Sequence, residues 1–239
     1  MKDCYLTIII PTLESAGHLP AALIDIDRGL AGSDFNYEIL VADAGSGDQS
    51  REVTEKLRPF IKNLRLISSP KEQKGKSRAV ERARESAKGG FILLLGPEMN
   101  IPIENFFKMI PYLSGKKTAR SDVVLGSRNI EPDKRKSKPR RILRKIKNWF
   151  IKMASSVDSS DISCYFKCLS KEAASRIFPL LGSRGDEFHF EALILAKKMN
   201  YRIKEVAVLE SRADRREPRL ARLLWSLLKI RLNLKKRRL

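Results

Sequence analysis

Cysteine is scarce in this chain of 239 residues: Cys4, Cys164 and Cys168 are the whole complement. An odd number of thiols in a chain of this size argues against a disulfide framework and favours a reducing compartment. Cys164 and Cys168 have no further Cys or His at metal-ligand spacing, so they read as core thiols and not as a zinc site. The two histidines, His18 and His189, lie too far apart in sequence to define a site together, and His18 reads as a helix-start residue. Long apolar runs are also missing. None approaches the ~20 residues that cross a bilayer. The apolar start, broken by Pro11 and followed by Glu14, is too short for a signal sequence. The expectation is a cytoplasmic chain, free or peripheral on the inner face of a membrane.

Acids are absent from two stretches that bases fill. Lys134, Arg135, Lys136, Lys138, Arg140, Arg141, Arg144, Lys145, Lys147 and Lys152 stand in the first, and Arg219, Arg222, Lys229, Arg231, Lys235, Lys236, Arg237 and Arg238 in the second. The net charge of +20 is confined to these patches, because 30 bases face 28 acids elsewhere once their 18 are removed from 48. Such patches attract polyanions, namely an anionic membrane surface or a phosphorylated substrate. Nucleic acid is disfavoured as a partner, since the bases are not interleaved with stacking aromatics.

With 42% apolar residues the chain can bury a full core in one α/β domain. Apolar runs at Tyr5–Ile10, Tyr37–Ala42, Leu64–Ile67, Phe91–Leu95 and Asp122–Leu125 read as strands. Between them lie helical segments at Leu19–Leu30, Gln49–Leu57, Glu72–Lys88 and Ile103–Leu113. Continuous Ile/Leu/Val strands alternating with helices predict a doubly wound, mostly parallel sheet flanked by helices. Further on, a basic loop leads into a helix through about Met153, followed by a strand at Tyr165–Leu169 and helices at Lys171–Leu180 and Phe188–Met199. A strand at Arg202–Leu209 precedes a basic amphipathic C-terminal helix, Arg219–Leu234. In that helix Leu220, Leu223, Leu224, Leu227 and Leu234 share one stripe, and Arg219, Arg222, Ser226, Lys229 and Lys236 another. It reads equally as a helix packed on the domain and as one lying in a membrane interface.

Ligands of doubly wound sheets bind beyond the carboxyl ends of the strands. The ends here are Pro11-Thr12, Asp43-Ala44-Gly45-Ser46, Ser68-Ser69-Pro70, Gly96-Pro97-Glu98 and Gly126-Ser127-Arg128. A carboxylate there can accept hydrogen bonds from a base or ribose, and a Gly-Ser turn lets a ligand approach the backbone. The plainer reading is that Asp43 and Asp48 cap a turn and the next helix.

Ile8 to Thr12, Glu38 to Asp48, Lys74-Gly75-Lys76 and Val123 to Arg128 resemble, in order and spacing, the signatures of family-2 glycosyltransferases. Asp161 to Lys167, Phe188 to Glu191, Tyr201 to Val206 and Ile230 to Asn233 resemble the dolichol-phosphate glucosyl- and mannosyltransferase branch. The resemblance implies a glycosyltransferase type-A domain over 1–215, with a nucleotide-sugar-binding half to about 128 and an acceptor half to 215; the basic helix occupies 216–239. It implies an inverting hexosyltransferase that uses a UDP- or GDP-sugar. Pro11, Thr12, Asp43, Gly45, Ser46 and Lys76 would hold the donor, and Arg128, Lys167 and Glu191 the acceptor. Glu98, Arg128 and Asp161 would be catalytic, and Glu98 with Asn100 would bind a divalent Mg²⁺ or Mn²⁺.

Three positions depart from the pattern. An acid of the first turn is Ser15, the second acid of a paired-Asp turn is Ala44, and an Asp-x-Asp turn is Gly96-Pro97-Glu98. The departing pyrophosphate needs its charge neutralised by a metal or by Lys/Arg, and Mg²⁺ or Mn²⁺ needs only one or two protein carboxylates besides substrate phosphates. The turn therefore reads as a weakened or shifted metal site, with Arg128 and the basic loop as the metal-free alternative. A hydroxyl acceptor needs a general base, for which Asp161 and Glu191 are the candidates. An ionised lipid phosphate needs none, and a polyprenyl or dolichyl phosphate is the expected acceptor; the alternatives are a glycan hydroxyl acceptor and an impaired relative that binds lipid or a partner.

Overall fold

The structure, a computed structural model, describes residues 4–70, 74–99, 101–115, 120–128, 130, 149, 152–153, 155, 157–210 and 220–236. Strand β1 (Cys4–Thr12) carries Leu6, Ile8, Ile9 and Ile10, all fully buried. A run that is apolar on successive residues has no face for water, so β1 lies in the middle of a sheet covered on both sides. Removing each such side chain from water contributes roughly 1.5–3 kcal/mol. β2 (Asn36–Asp43), β3 (Leu64–Ser68), β4 (Phe91–Leu94), β5 (Val123–Ser127), β6 (Lys167–Ser170) and β7 (Ile203–Ala207) complete the sheet in the order β3-β2-β1-β4-β6-β5-β7.

The pairs β1–β2, β1–β4, β2–β3 and β5–β7 are parallel, and only β6 runs against its neighbours β4 and β5. The first half is therefore doubly wound, as expected. β6 is reversed because it starts beside the carboxyl end of β5, with Lys167 opposite Leu125 and Leu169 opposite Val123.

Helices follow their apolar spacing. α1 (Leu19–Leu30) buries Leu19, Ala22, Leu23, Ile26 and Leu30, an i, i+3, i+4, i+7 stripe. α2 (Ser50–Leu57) follows β2, and α3 (Lys76–Ser86) lies over β1 and β2 with the small buried residues Ser77, Ala79 and Ala83. The expected helix at 103–113 is split into a 3-10 turn (Ile103–Lys108) and a short α4 (Ile110–Leu113). Pro111 has no amide hydrogen to continue the earlier turn. The expected strand at 165–169 begins two residues later, at Lys167. α5 (Lys171–Ile177) is followed by α6 (Phe188–Lys198), which is buried at every residue from Phe188 to Ala196. α7 (Leu220–Lys236) closes the described chain. The expected helix ending near Met153 falls largely outside the described residues, although 149, 152, 153 and 155 are helical.

At the amino end of the sheet a buried carboxylate joins three strands. Glu38 accepts from the Thr7 hydroxyl at 2.7 Å, the Lys88 amide at 2.6 Å and Arg65 at 3.1 Å. The Gly89 amide donates to Thr7 Oγ1 at 2.9 Å. A Cβ on Gly89 would stand 2.4 Å from the Thr7 backbone nitrogen, which has no room to move inside the ladder. Gly89→Ala is therefore expected to destabilise the fold by about 1–3 kcal/mol, an overpacking cost, in urea unfolding followed by circular dichroism.

Candidate active site

The carboxyl ends of β1 and β2 stop together. Thr12 pairs with Asp43 and Pro11 with Ala42, and the Ala44 amide donates to the Thr12 carbonyl at 2.9 Å, one step beyond the strands. Gly45 then turns with φ +94°, and a Cβ there would also press on the Lys74 side chain at 3.0 Å. The turn aims the Ser46 amide back at Asp43 Oδ1, at 3.0 Å. Asp43 Oδ2 accepts from Arg51 Nε at 2.5 Å, and Arg51 also reaches the Ser69 carbonyl at 3.3 Å. Asp43 is thus both a turn anchor and a fully buried acid at a strand end.

Asp48 holds the turn after β1. It accepts from the Ala16 amide at 2.9 Å, the Ser50 amide at 3.0 Å and the Ser50 hydroxyl at 2.5 Å. Burial works against its charge, but these bonds hold the carboxyl below the usual range. Ser15, in place of the expected acid, donates its amide to Ser50 Oγ at 3.0 Å.

Lys76 opens α3, where backbone amides point outward and favour an anion. Its amide donates to the Arg184 carbonyl at 2.8 Å, and its Nζ lies 2.6 Å from Asp186 Oδ1. The Tyr165 hydroxyl donates to the same oxygen at 2.8 Å. Gly75 has φ +142°, and a Cβ there would meet the Arg184 carbonyl at 3.2 Å. A loop from a distant part of the sequence thus lies over Lys76, with the Asp186 carboxylate at the cation.

After β4 the Leu95 amide donates to Ile9 at 3.1 Å, and the chain turns through Gly96, Pro97 and Glu98. Glu98 is exposed. Its Oε2 lies 2.9 Å from where a Cβ on Gly96 would stand. The longer acid therefore folds back into the space that Gly96 leaves empty, next to where a first carboxylate would project. Among the described residues no group of three or more His, Cys, Asp or Glu is placed to hold a metal. A single exposed carboxylate over an open glycine nevertheless fits a hard cation whose other ligands are phosphate oxygens. Asn100 lies outside the described residues.

At the end of β5, Arg128 forks onto Asp161: Nε to Oδ2 at 2.6 Å and Nη2 to Oδ1 at 3.0 Å. Nη2 also reaches Ser163 at 3.2 Å, and Nη1 reaches Glu210 at 3.3 Å. Burial opposes the guanidinium charge, but the hydrogen bonds and charge of Asp161 raise its pKa above the ordinary arginine value. Glu205 of β7 supports the same loop. Its Oε1 accepts from Ser159 Oγ at 3.0 Å, Ser160 Oγ at 2.8 Å and the Asp161 amide at 3.1 Å.

Lys167 and His189 lie behind this surface. Both are buried, and Lys167 Nζ bonds the carbonyls of Ile162 and Cys164 and approaches His189 Nδ1 at 2.9 Å. Burial, then the charge of Lys167, pushes His189 well below its ordinary pKa, which favours the neutral imidazole beside Lys167. Burial pushes Lys167 down to about 7, against the upward pull of Cys164 and Asp161. Cys164 and Cys168 are free and buried, and burial raises both thiols, Cys164 to about 11. The Glu191 carboxylate accepts from the amides of Gly182 at 3.0 Å and Ser183 at 2.8 Å, which fastens the start of the loop over Lys76.

The sheet thus gathers Thr12, Asp43, Gly45, Ser46, Lys76, Glu98, Arg128 and Asp161 along one edge. Lys167 and Glu191 are enclosed supports of the loops at that edge. Arg51, Tyr165, Asp186 and Glu205 join the site without having stood out in sequence. Arg51, in the first turn of α2 behind an acidic strand end, carried a readable signal; Asp186 and Glu205 meet their partners only through the fold.

A seven-stranded, mostly parallel sheet with its polar residues at these ends is the glycosyltransferase type-A fold. Mannosyl-3-phosphoglycerate synthase from Rubrobacter xylanophilus shares it with TM-score 0.68 and 15% identity, covering 98% of this chain and 75% of that one. So does glucosyl-3-phosphoglycerate synthase from Mycobacterium tuberculosis, solved with Mn²⁺, UDP-glucose and glycerol 3-phosphate, with TM-score 0.61 and 16% identity over 98% of this chain and 80% of that one. Residues 7–178 match glycosyl transferase family 2, and the chain belongs to that family. A dolichyl-phosphate beta-glucosyltransferase of Dictyostelium discoideum is 28% identical over 87% of this chain, which spans 67% of that protein. The chain spans 64–65% of the dolichyl-phosphate beta-glucosyltransferases of Trichomonas vaginalis that it matches.

The buried Lys167 makes stability depend on pH. The folded chain releases its proton near pH 7, whereas the unfolded chain holds it to about 10.5. Between these values the unfolded state binds more protons, so stability rises with pH; below the window both states hold this proton and the Lys167 contribution is constant. Urea unfolding between about pH 7 and about pH 8.5, below the range in which the raised Cys164 and Cys168 thiols reverse the slope, is expected to show this rise in the parent chain and its loss in Lys167→Met.

Proposed function

We propose that this chain transfers a hexose, with inversion, from a UDP- or GDP-linked sugar to a polyprenyl or dolichyl phosphate at a membrane surface. The observation that carries the reading is the state of the acids. Asp161 is forked by Arg128 and Glu191 is taken up by two loop amides, so neither stands ready as a general base. An acceptor that arrives ionised suits such a site. The dolichyl-phosphate acceptor in the relatives' names agrees with it.

In this reading residues to about 128 bind the donor and residues 129–215 the acceptor. Pro11, Thr12, Gly45 and Ser46 line the nucleotide, and Asp43 accepts from the base. Lys76 and the amino end of α3 face the diphosphate, and donor binding exchanges the Asp186 carboxylate for a phosphate. The acceptor phosphate oxygen forms a bond to the anomeric carbon while the bond to the nucleoside diphosphate breaks, its electron pair leaving with the diphosphate. No proton need move. Arg128 offers positive charge at the acceptor side, and Lys167, from behind, holds the Ile162–Cys164 turn that carries this corner. Glu98, with Asn100, would hold Mg²⁺ or Mn²⁺, which when bound neutralises charge on the departing diphosphate.

The exposed Asp186 favours a second reading, in which it serves as base for a saccharide hydroxyl. Parallel assays with a polyprenyl phosphate and with saccharide acceptors decide between the two. A thermal-shift screen of UDP-, GDP- and dTDP-sugars with and without Mn²⁺ is expected to show a metal-enhanced rise for one donor class. Glu98→Ala is expected to lose that enhancement and about 10²–10³ of transfer. Unchanged transfer would contradict the metal reading, and no shift with any donor would contradict the function.

A further inference from the structure

Helix α7 buries one face and displays another of the same kind. Leu227, Ile230 and Leu234 are at most 4% exposed and pack on the domain. Leu227 and Leu234 of the leucine stripe legible in sequence are thus spent within the fold. On the opposite side Trp225, Leu228 and Leu232 are 70%, 50% and 61% exposed. Their i, i+3, i+7 spacing places them in one line along the helix. Lys229 borders this line on one flank and Arg231 on the other, and both are exposed. Arg231 also donates to the Met153 carbonyl at 3.1 Å. This bond ties α7 to a second helical segment whose Trp149 and Met153 are each 57% exposed. Five large apolar side chains on two adjoining helical segments are more than a folded surface scatters at random.

We propose that the Trp225–Leu228–Leu232 line of α7, with Met153 and Trp149 beside it, docks the protein onto an anionic phospholipid bilayer. The charge pattern selects that occupant over a second copy of the chain. The segments 134–152 and 219–238, which hold Trp149 and the Trp225–Leu228–Leu232 line, are rich in Lys and Arg and hold no acid. Two copies would bring like charges together, whereas anionic headgroups neutralise them. The chemistry is that of an interfacial helix: an apolar line enters the acyl boundary, bases stay at headgroup level, and tryptophan favours the boundary between them. No helix among the described residues is long and apolar enough to span the bilayer. The proposal deepens the membrane-surface reading above and rests on it.

Trp149 and Trp225 are the only tryptophans in the chain, so emission reports this surface directly. The test uses the full chain with vesicles of phosphatidylcholine alone or mixed with an equal part of phosphatidylglycerol. Sedimentation with the anionic vesicles and a blue shift of Trp225 emission in a Trp149→Phe background are expected. Leu228→Ser with Leu232→Ser is expected to weaken vesicle binding about tenfold or more, with donor-induced thermal shift unchanged as the check on folding. Binding without a blue shift, lost in high salt, would overturn insertion in favour of simple charge attraction. Unaltered binding by the double variant, or self-association in place of vesicle binding, would overturn the surface. A chain that docks but binds no nucleotide-sugar would fail the functional reading alone.

Discussion

A sheet buried on both faces leaves chemistry only at its ends, and this constraint governs the molecule. β1, β2, β4 and β5 carry apolar side chains on successive residues, and the polar Thr7 and Glu38 that they bury are bonded to each other. The acids and bases of the candidate site therefore collect where the strands stop. Register makes that edge a site: Thr12 and Asp43 end at the same level, and the Ala44 and Leu95 amides carry the ladder one step further. From there each turn is set by a local device, Gly45 by its positive φ and the Arg128 corner by its fork on Asp161.

The Arg128 corner depends on a chain of polar contacts instead of apolar ones. Glu205 holds the serines before Asp161, Asp161 holds Arg128, and buried Lys167 holds the carbonyls of Ile162 and Cys164. Each group is satisfied by its neighbour, so the corner is rigid where the acceptor phosphate is proposed to arrive. The Gly96-Pro97-Glu98 turn follows a different logic. It has one carboxylate, Glu98, whose side chain lies over the Cβ position that Gly96 leaves empty.

The strands and most helices were legible because their apolar periods are unambiguous: an unbroken run in β1, a 3.6-residue stripe in α1. The reversal of β6 was not, since strand direction depends on a long connection without a periodic signal. The candidate site was legible as far as it sits on strand ends, where the structure places Asp43, Glu98 and Arg128. Asp186 over Lys76 and Glu205 under Asp161 were hidden because their partners lie far away in sequence. In α7 Leu227 and Leu234 of the stripe read as apolar face the core, and Ser226, read on the basic stripe, is buried as well. A stripe shows that a helix has a face, whereas the fold decides what that face meets.

The central claim is that the strand ends form the donor site. Amide hydrogen exchange with and without UDP- or GDP-glucose and Mn²⁺ tests it most directly, because it reads each segment separately. The account predicts slowed exchange at Thr12–Ala16, Asp43–Asp48, Gly75-Lys76 and the loop around Asp186, with α7 unchanged. Protection absent from these segments, or confined to α7, would contradict it.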